Sequence, residues 1–148
     1  MGTKPFEIVR VAREHLAAIA ALEREVFSEP WSESALELLV GGEAYGFACL
    51  CNGTLLGYGG VMLAVDEGQV TNIAVYPTAR RRGVGQAILC AMIDEARAHS
   101  LVQLSLEARV SNTAAIGLYE KLGFSVAGRR KNFYRHPTED ALVMLKQL

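Results

Sequence analysis

Two runs suited to β-strands, YGFACLC (45–51) and TLLGYGGVMLAV (54–65), meet at Asn52-Gly53. That dipeptide is a strong hairpin signal, because a two-residue turn between twisted strands needs positive φ and both residues tolerate it. A third run, QVTNIAVYP (69–77), is rich in β-branched residues and ends at Pro77, which cannot donate to a sheet. The pair Gly59-Gly60 inside the second run predicts a bulge or a close backbone approach.

Helical periods lie on both sides of these runs. FEIVRV (6–11) alternates as a strand, and EHLAAIAALEREVF (14–27) then places Leu16, Ile19, Leu22 or Glu23, and Val26 at helical spacing. Pro30 is expected to end that helix. WSESALELLV (31–40) predicts a short second helix capped by Ser32 or Ser34. After the third strand run come a helix in VGQAILCAMIDEARAHS (84–100) and a strand in LVQLSLEA (101–108). TAAIGLYEKLGF (113–124) reads as a helix closed by Gly123, and FSVAGRR (124–130) with DALVMLKQL (140–148) as a final antiparallel pair. The order β-α-α-β-β-β-α-β-α-β-β predicts an α/β (α+β) domain with one central sheet. No linker, repeat or low-complexity stretch divides the chain, so residues 1–148 are expected to form one domain.

Charge and cysteine usage remove several function classes. Net charge is −1, so the run Arg80–Arg82 is local, whereas nucleic-acid-binding domains are basic overall. No nucleic-acid partner is expected. Cys49, Cys51 and Cys90 are odd in number and share only a C-x-C spacing, which predicts neither a disulfide framework nor a metal site. No apolar run reaches ~18 residues. The first residues lack a signal-peptide core, and Phe6 stands where a myristoylation pattern needs Ser or Thr. A soluble, cytoplasmic protein without a membrane partner is expected.

The arginine run opens the motif R-x-x-G-x-G at 80–85, between a strand and a helix. A P-loop needs G-x-x-x-x-G-K-[ST], and a Rossmann fingerprint needs Gly or Ala where Ile88 stands; both fail. Glycines here let backbone approach a ligand, and the helix start offers unpaired N–H groups to an anion. On spacing alone, an anion cradle and a solvated turn remain equally open.

NIAVYPTARRRGVGQAIL (72–89) resembles motif A of the GCN5-related N-acetyltransferases (GNAT), and LEARVSNTAAIGLYEKLGF (106–124) is similar to their motif B. FSEPWS (27–32), LEARVSN (106–112) and RKNFYRHPTEDALVM (130–144) resemble the ribosomal-protein-alanine N-acetyltransferases of the RimI type. The resemblance implies a mixed, mostly antiparallel sheet of about six to seven strands, splayed at an acetyl-coenzyme A site, with about four helices. It implies backbone contacts to the pantetheine arm from Ile73, Ala74 and Val75. Arg81, Arg82, Gly83, Val84, Gly85 and Gln86 would surround the pyrophosphate, with Arg80 or Arg81 adding charge, and Asn112 would bond the pantetheine. Asn112 and Tyr119 are seven apart, on one helical face.

Acetyl transfer to an amine needs a neutral nucleophile, a stabilised oxyanion and a proton for the departing thiolate. An α-amine with a pKa of ~7.8 is roughly 400-fold more often neutral at pH 7 than a lysine at ~10.4. A carboxylate acting directly or through water then suffices as base. Glu107 ends an apolar strand and stands where the family implies that base; position alone favours a surface glutamate. Tyr119 is the implied acid, against a core role for a tyrosine on an amphipathic helix. The oxyanion would meet backbone N–H, from Val75. Trp31 is implied in the acceptor wall, and Tyr134, in the turn between the last strands, either grips the acceptor or caps the sheet. His15, His99 and His136 are scattered, and Cys90 has no adjacent base, so direct attack is favoured over a cysteine intermediate. The implied acceptor is a protein N-terminus, the N-terminal alanine of a small-subunit ribosomal protein, with the enzyme a monomer or weak dimer. A lysine side chain or small amine is the alternative acceptor. A coenzyme A sensor or an RNA-contacting factor using Arg80–Arg82 is the non-enzymatic alternative.

Overall fold

The computed structural model describes residues 6–148. The leader and myristoylation readings fall largely on residues 1–5, outside the described residues. The elements are β1 (Glu7–Arg10), α1 (Leu16–Val26), α2 (Glu33–Leu36), β2 (Ala44–Cys51), β3 (Thr54–Ala64), β4 (Glu67–Val75), α3 (Val84–Ala98), β5 (Gln103–Arg109), α4 (Thr113–Lys121), β6 (Ser125–Tyr134) and β7 (Glu139–Gln147). This is the expected order. Among the described residues, no helix is long and apolar enough to cross a membrane.

Seven strands form one sheet in the order β1-β2-β3-β4-β5-β7-β6. All neighbours are antiparallel except β4 and β5. Asn52 and Gly53 take φ of +51° and +80° and close the β2–β3 hairpin, as their chemistry predicts. The ladder between β3 and β4 shifts register between Gly59 and Val61, so the Gly59-Gly60 pair does carry a bulge.

Helices cover both faces. Ile88, Leu89, Met92 and Ile93 of α3 join Leu104, Leu106, Tyr119 and Phe124 in one buried cluster. On the other face Leu16, Ile19 and Leu22 of α1 pack with Leu36, Ala48, Tyr58 and Ala74. Along β5, residues 104, 106 and 108 are buried in the first cluster. Strand alternation therefore turns Glu107 toward the opposite face.

One local expectation is corrected, and another is met in finer detail. Helix α1 ends at Val26, four residues before Pro30, and Phe27 is already extended (φ −116°, ψ 143°). The Glu23 carboxylate explains the early stop, because it captures the N–H of Trp31 at 2.9 Å and draws the chain back across the helix end. The second helix is a single α turn followed by a 3-10 turn at Glu37–Val40. Its cap is Ser32, whose hydroxyl accepts the N–H of Ala35 at 3.1 Å.

Candidate active site

The site begins where the sheet opens. β4 and β5 pair over only Glu67–Gln103, Gly68–Leu104 and Gln69–Ser105. Beyond Gln69 the far side of β4 lacks this strand partner. Tyr76 donates its N–H to the Leu56 carbonyl at 2.9 Å, and Ala74 pairs with Tyr58 in the same register. Antiparallel alternation then turns the polar backbone of Ala74 toward β3, and that of Ile73 and Val75 into the gap. Ala74 therefore departs from expectation. Its backbone bonds serve the sheet, and its side chain is buried.

The arginine loop lies between Val75 and α3. Arg81 and Gly83 have φ of +64° and +79°. Gly83 is the N-cap of α3 and provides no side-chain cap. The N–H groups of Val84, Gly85 and Gln86 are thus left without intrahelical acceptors, at the positive end of a fifteen-residue helix. Arg80, Arg81 and Arg82 are exposed. Arg80 differs from its neighbours, because its Nε donates to the Val75 carbonyl at 3.2 Å and ties the loop to the strand end. Gln86 accepts from Lys121 Nζ at 3.1 Å.

Below the loop, a cleft of about 510 Å³ gathers Trp31, Ile73, Glu107, Asn112, Tyr119 and Tyr134. Val75 and residues 80–86 are not in its lining. Glu107 reaches it from one face of the sheet and Tyr119 from the helix layer on the other. The Glu107 carboxylate forms an ion pair with Arg130, Nε to Oε2 at 2.9 Å, and accepts from Gln69 Nε2 at 3.3 Å. Arg130 and Gln69 thus flank the carboxylate, one at each oxygen. Asn112 caps α4, its Oδ1 accepting the N–H of Ala115 at 3.2 Å. Its amide nitrogen keeps its donors free for another partner.

Tyr119 separates a core role from a functional one. Buried tyrosines normally bond their hydroxyl, as Tyr45 does to the Met92 carbonyl at 2.7 Å and Tyr58 to Glu23 at 2.6 Å. Tyr119 is 9% exposed, yet its hydroxyl makes no hydrogen bond among the described residues. Among the described residues no buried side-chain polar atom lacks a partner. The hydroxyl must therefore open on the cleft its side chain lines. Burial, with a smaller contribution from Tyr134, pushes the phenol up to about 12. Tyr134 is also pushed up to about 12, by burial first and the Glu107 charge second. It sits at the end of β6 rather than in the turn after it.

Several residues of the site lie within the resembling stretches, but the sequence assigns them no role of their own. Arg109 donates to the carbonyls of Pro137 and Arg135, both at 3.0 Å, and to Glu139 at 3.1 Å. Its guanidinium carbon lies 4.5 Å from the Tyr134 ring centroid. Ser28 donates to the Arg135 carbonyl at 3.3 Å, joining the loop after α1 to the β6–β7 turn across the cleft. Hydrogen bonds from Ser111 and then Arg109 hold Glu139 below the ordinary carboxylate range, against an opposing effect of burial. Arg109→Ala is expected to cost about 1–3 kcal/mol, roughly 2–4 °C of Tm per kcal/mol, and to raise the acceptor KM. A group with a depressed folded pKa adds stability above its unfolded value and loses it as pH falls. Below about pH 4.5, wild-type Tm should therefore fall more steeply than that of Glu139→Gln, as thermal melts in a pH series will show.

Glu23 was missed for another reason. It occupies an apolar phase of the first helix, where Leu22 or Glu23 fitted the period, and its side chain is fully buried. Its oxygens accept from Trp31 N, Tyr58 Oη at 2.6 Å and Asn72 Nδ2 at 2.9 Å. Burial first, and then the Glu23 charge, hold the Tyr58 phenol well above its ordinary value. An acid in the buried phase of a helix was the available signal. Arg109, Arg130 and Glu139 lie in the resembling stretches 106–112 and 130–144, but nothing local pairs Arg109 with Glu139 or Arg130 with Glu107.

Residues 16–124 match the Acetyltransferase (GNAT) family. The chain belongs to that family and is an acyltransferase. The ribosomal protein bS18-alanine N-acetyltransferase of Escherichia coli is 38% identical over 133 residues, covering 87% of this chain and 88% of its own. N-alpha-acetyltransferase RimI of Mycobacterium tuberculosis is 32% identical over 149 residues, covering 96% and 92%. The crystal structure of the Escherichia coli ribosomal-protein-alanine enzyme superposes with a TM-score of 0.89 at 35% identity, covering 96% of this chain and 93% of that one.

Proposed function

We propose that this chain transfers an acetyl group from acetyl-coenzyme A to the α-amine of a protein N-terminus, with the N-terminal alanine of a small-subunit ribosomal protein as acceptor. The observation that carries this reading is the cleft through the sheet, with a carboxylate on one side and an open phenol on the other. The names of the relatives support the acceptor.

The residues fit the coenzyme. The backbone of Ile73 and Val75 faces a strand-sized gap, and the uncapped start of α3 suits a pyrophosphate. Arg81, Arg82 and the N–H groups of residues 83–86 would hold that pyrophosphate, and the amide nitrogen of Asn112 the pantetheine. When bound, the coenzyme supplies the acyl group as a thioester. Glu107, through a water, would take the proton of the attacking amine. The Val75 N–H faces the gap where an oxyanion would develop. Tyr119 would hold the proton that a departing thiolate needs. Trp31 and Tyr134 would wall the acceptor groove, which the Ser28–Arg135 contact closes at one end.

An N-terminal Ala peptide incubated with acetyl-coenzyme A should gain one acetyl group at its α-nitrogen, read by mass spectrometry with fragmentation. An unmodified peptide alongside acetylated small amines or lysine side chains would overturn the acceptor assignment. Monomer or weak dimer, and a cytoplasmic location, are proposed with this reading.

A further inference from the structure

Glu23 is 0% exposed, and the donors its carboxylate accepts from are all neutral. Its Oε1 accepts the backbone N–H of Trp31, and its Oε2 accepts from both Tyr58 and Asn72. A carboxylate oxygen only accepts, so the amide of Asn72 must present its nitrogen to Glu23 and its carbonyl oxygen elsewhere. That carbonyl oxygen meets no donor among the described residues. Since no buried side-chain polar atom among the described residues lacks a partner, the oxygen is open, and Asn72 lines the cleft. A hydrogen-bond acceptor is thus held in the groove by a buried anion behind it.

We propose that Asn72 Oδ1 accepts a backbone N–H from the N-terminal segment of the acceptor peptide, and that Glu23 is the positioning residue that fixes which end of the amide faces the groove. This rests on the reading of the cleft as an acceptor groove. The same network also pins the chain from Phe27 to Trp31, so a simple structural role has to be separated from this one.

A carboxylate–amide swap separates them. Asn72→Leu removes the open oxygen at similar volume. It should raise the peptide KM about tenfold, the effect of ~1.4 kcal/mol, with kcat and coenzyme A stabilisation near wild type. Glu23→Gln can keep an oxygen for Trp31 while its NH2 faces Tyr58 and Asn72. Asn72 must then turn its carbonyl inward and its nitrogen to the groove, and KM should rise similarly. In Glu23→Gln/Asn72→Asp, the aspartate offers one oxygen to the glutamine NH2 and the other to the groove. KM should then return to within about threefold of wild type, although Asn72→Asp alone sets two carboxylates against each other. Failure of the double variant to recover, with Tm preserved, overturns the positioning role. An unchanged KM in Asn72→Leu overturns the contact while leaving the proposed function standing. If wild type leaves the peptide unmodified and acetylates small amines, the proposed function fails first and this contact fails with it.

Discussion

Glu107→Gln is expected to lower kcat by on the order of 10²–10⁴-fold, and Tyr119→Phe by a factor in the same range, with coenzyme A binding unchanged in both. The glutamine keeps the shape of the side chain and an acceptor for Arg130 or Gln69, but it cannot take a proton. The phenylalanine keeps the packing against Phe124, whose ring centroid is 6.0 Å away, and removes only the open hydroxyl. Neither change should therefore unfold the protein. The pH profile adds a second readout. Tyr119, pushed up to about 12, stays protonated across ordinary assay conditions, so it should impose no alkaline limb there. Wild-type kcat/KM should instead rise with pH as the acceptor amine, at ~7.8, loses its proton. Steady-state kinetics across pH test both statements, and near-normal turnover in both variants would discard the proposed acid and base.

Gly83→Val is expected to weaken coenzyme A binding about 30-fold or more, ~2 kcal/mol, whereas Arg82→Ala should cost less than about fivefold. Gly83 caps α3 at a φ of +79°, and a β-branched residue is a strong outlier there. Relieving that strain rotates the very N–H groups that would meet the pyrophosphate. The arginine side chains are exposed, where single charges contribute up to about 1 kcal/mol. Titration calorimetry with coenzyme A separates the two, and the ligand-free Tm reports the strain alone. Equal losses in the two variants would mean that charge, and not backbone, forms the cradle.

The sheet and helices were legible because each carries its own local chemistry. Asn52-Gly53 sets the hairpin, Gly123 takes φ +100° at the end of α4, and the apolar period of α3 matches its buried face. Glu107, Asn112 and Tyr119 were reachable through contiguous motifs. The clip of Arg109 on Glu139 and on the carbonyls of residues 135 and 137 was not, since it joins residues 26 to 30 apart. Arg130 on Glu107 depends on the register of β6 through β7 to β5, which no local pattern encodes. Ile73, Ala74 and Val75 look alike in sequence, and only the phase of the β3–β4 ladder distinguishes Ala74. Glu23 was visible as an acid in an apolar phase, but its partners come from Trp31, Tyr58 and Asn72.

The three-residue ladder between β4 and β5 makes the sheet two leaves sharing a hinge line. One leaf carries the arginine loop and the start of α3, and the other carries Glu107, Asn112 and Tyr119. Val75 stands six residues beyond Gln69, about 20 Å along a strand. A rotation of ~3° about the hinge would move it ~1 Å, a misplacement that can cost about 10²-fold in rate. Gly68 lies on this hinge, where an added Cβ would fall 2.8–2.9 Å from Leu104, Leu101 and Val61. The close packing under one glycine thus sets the alignment of groups a full strand length away.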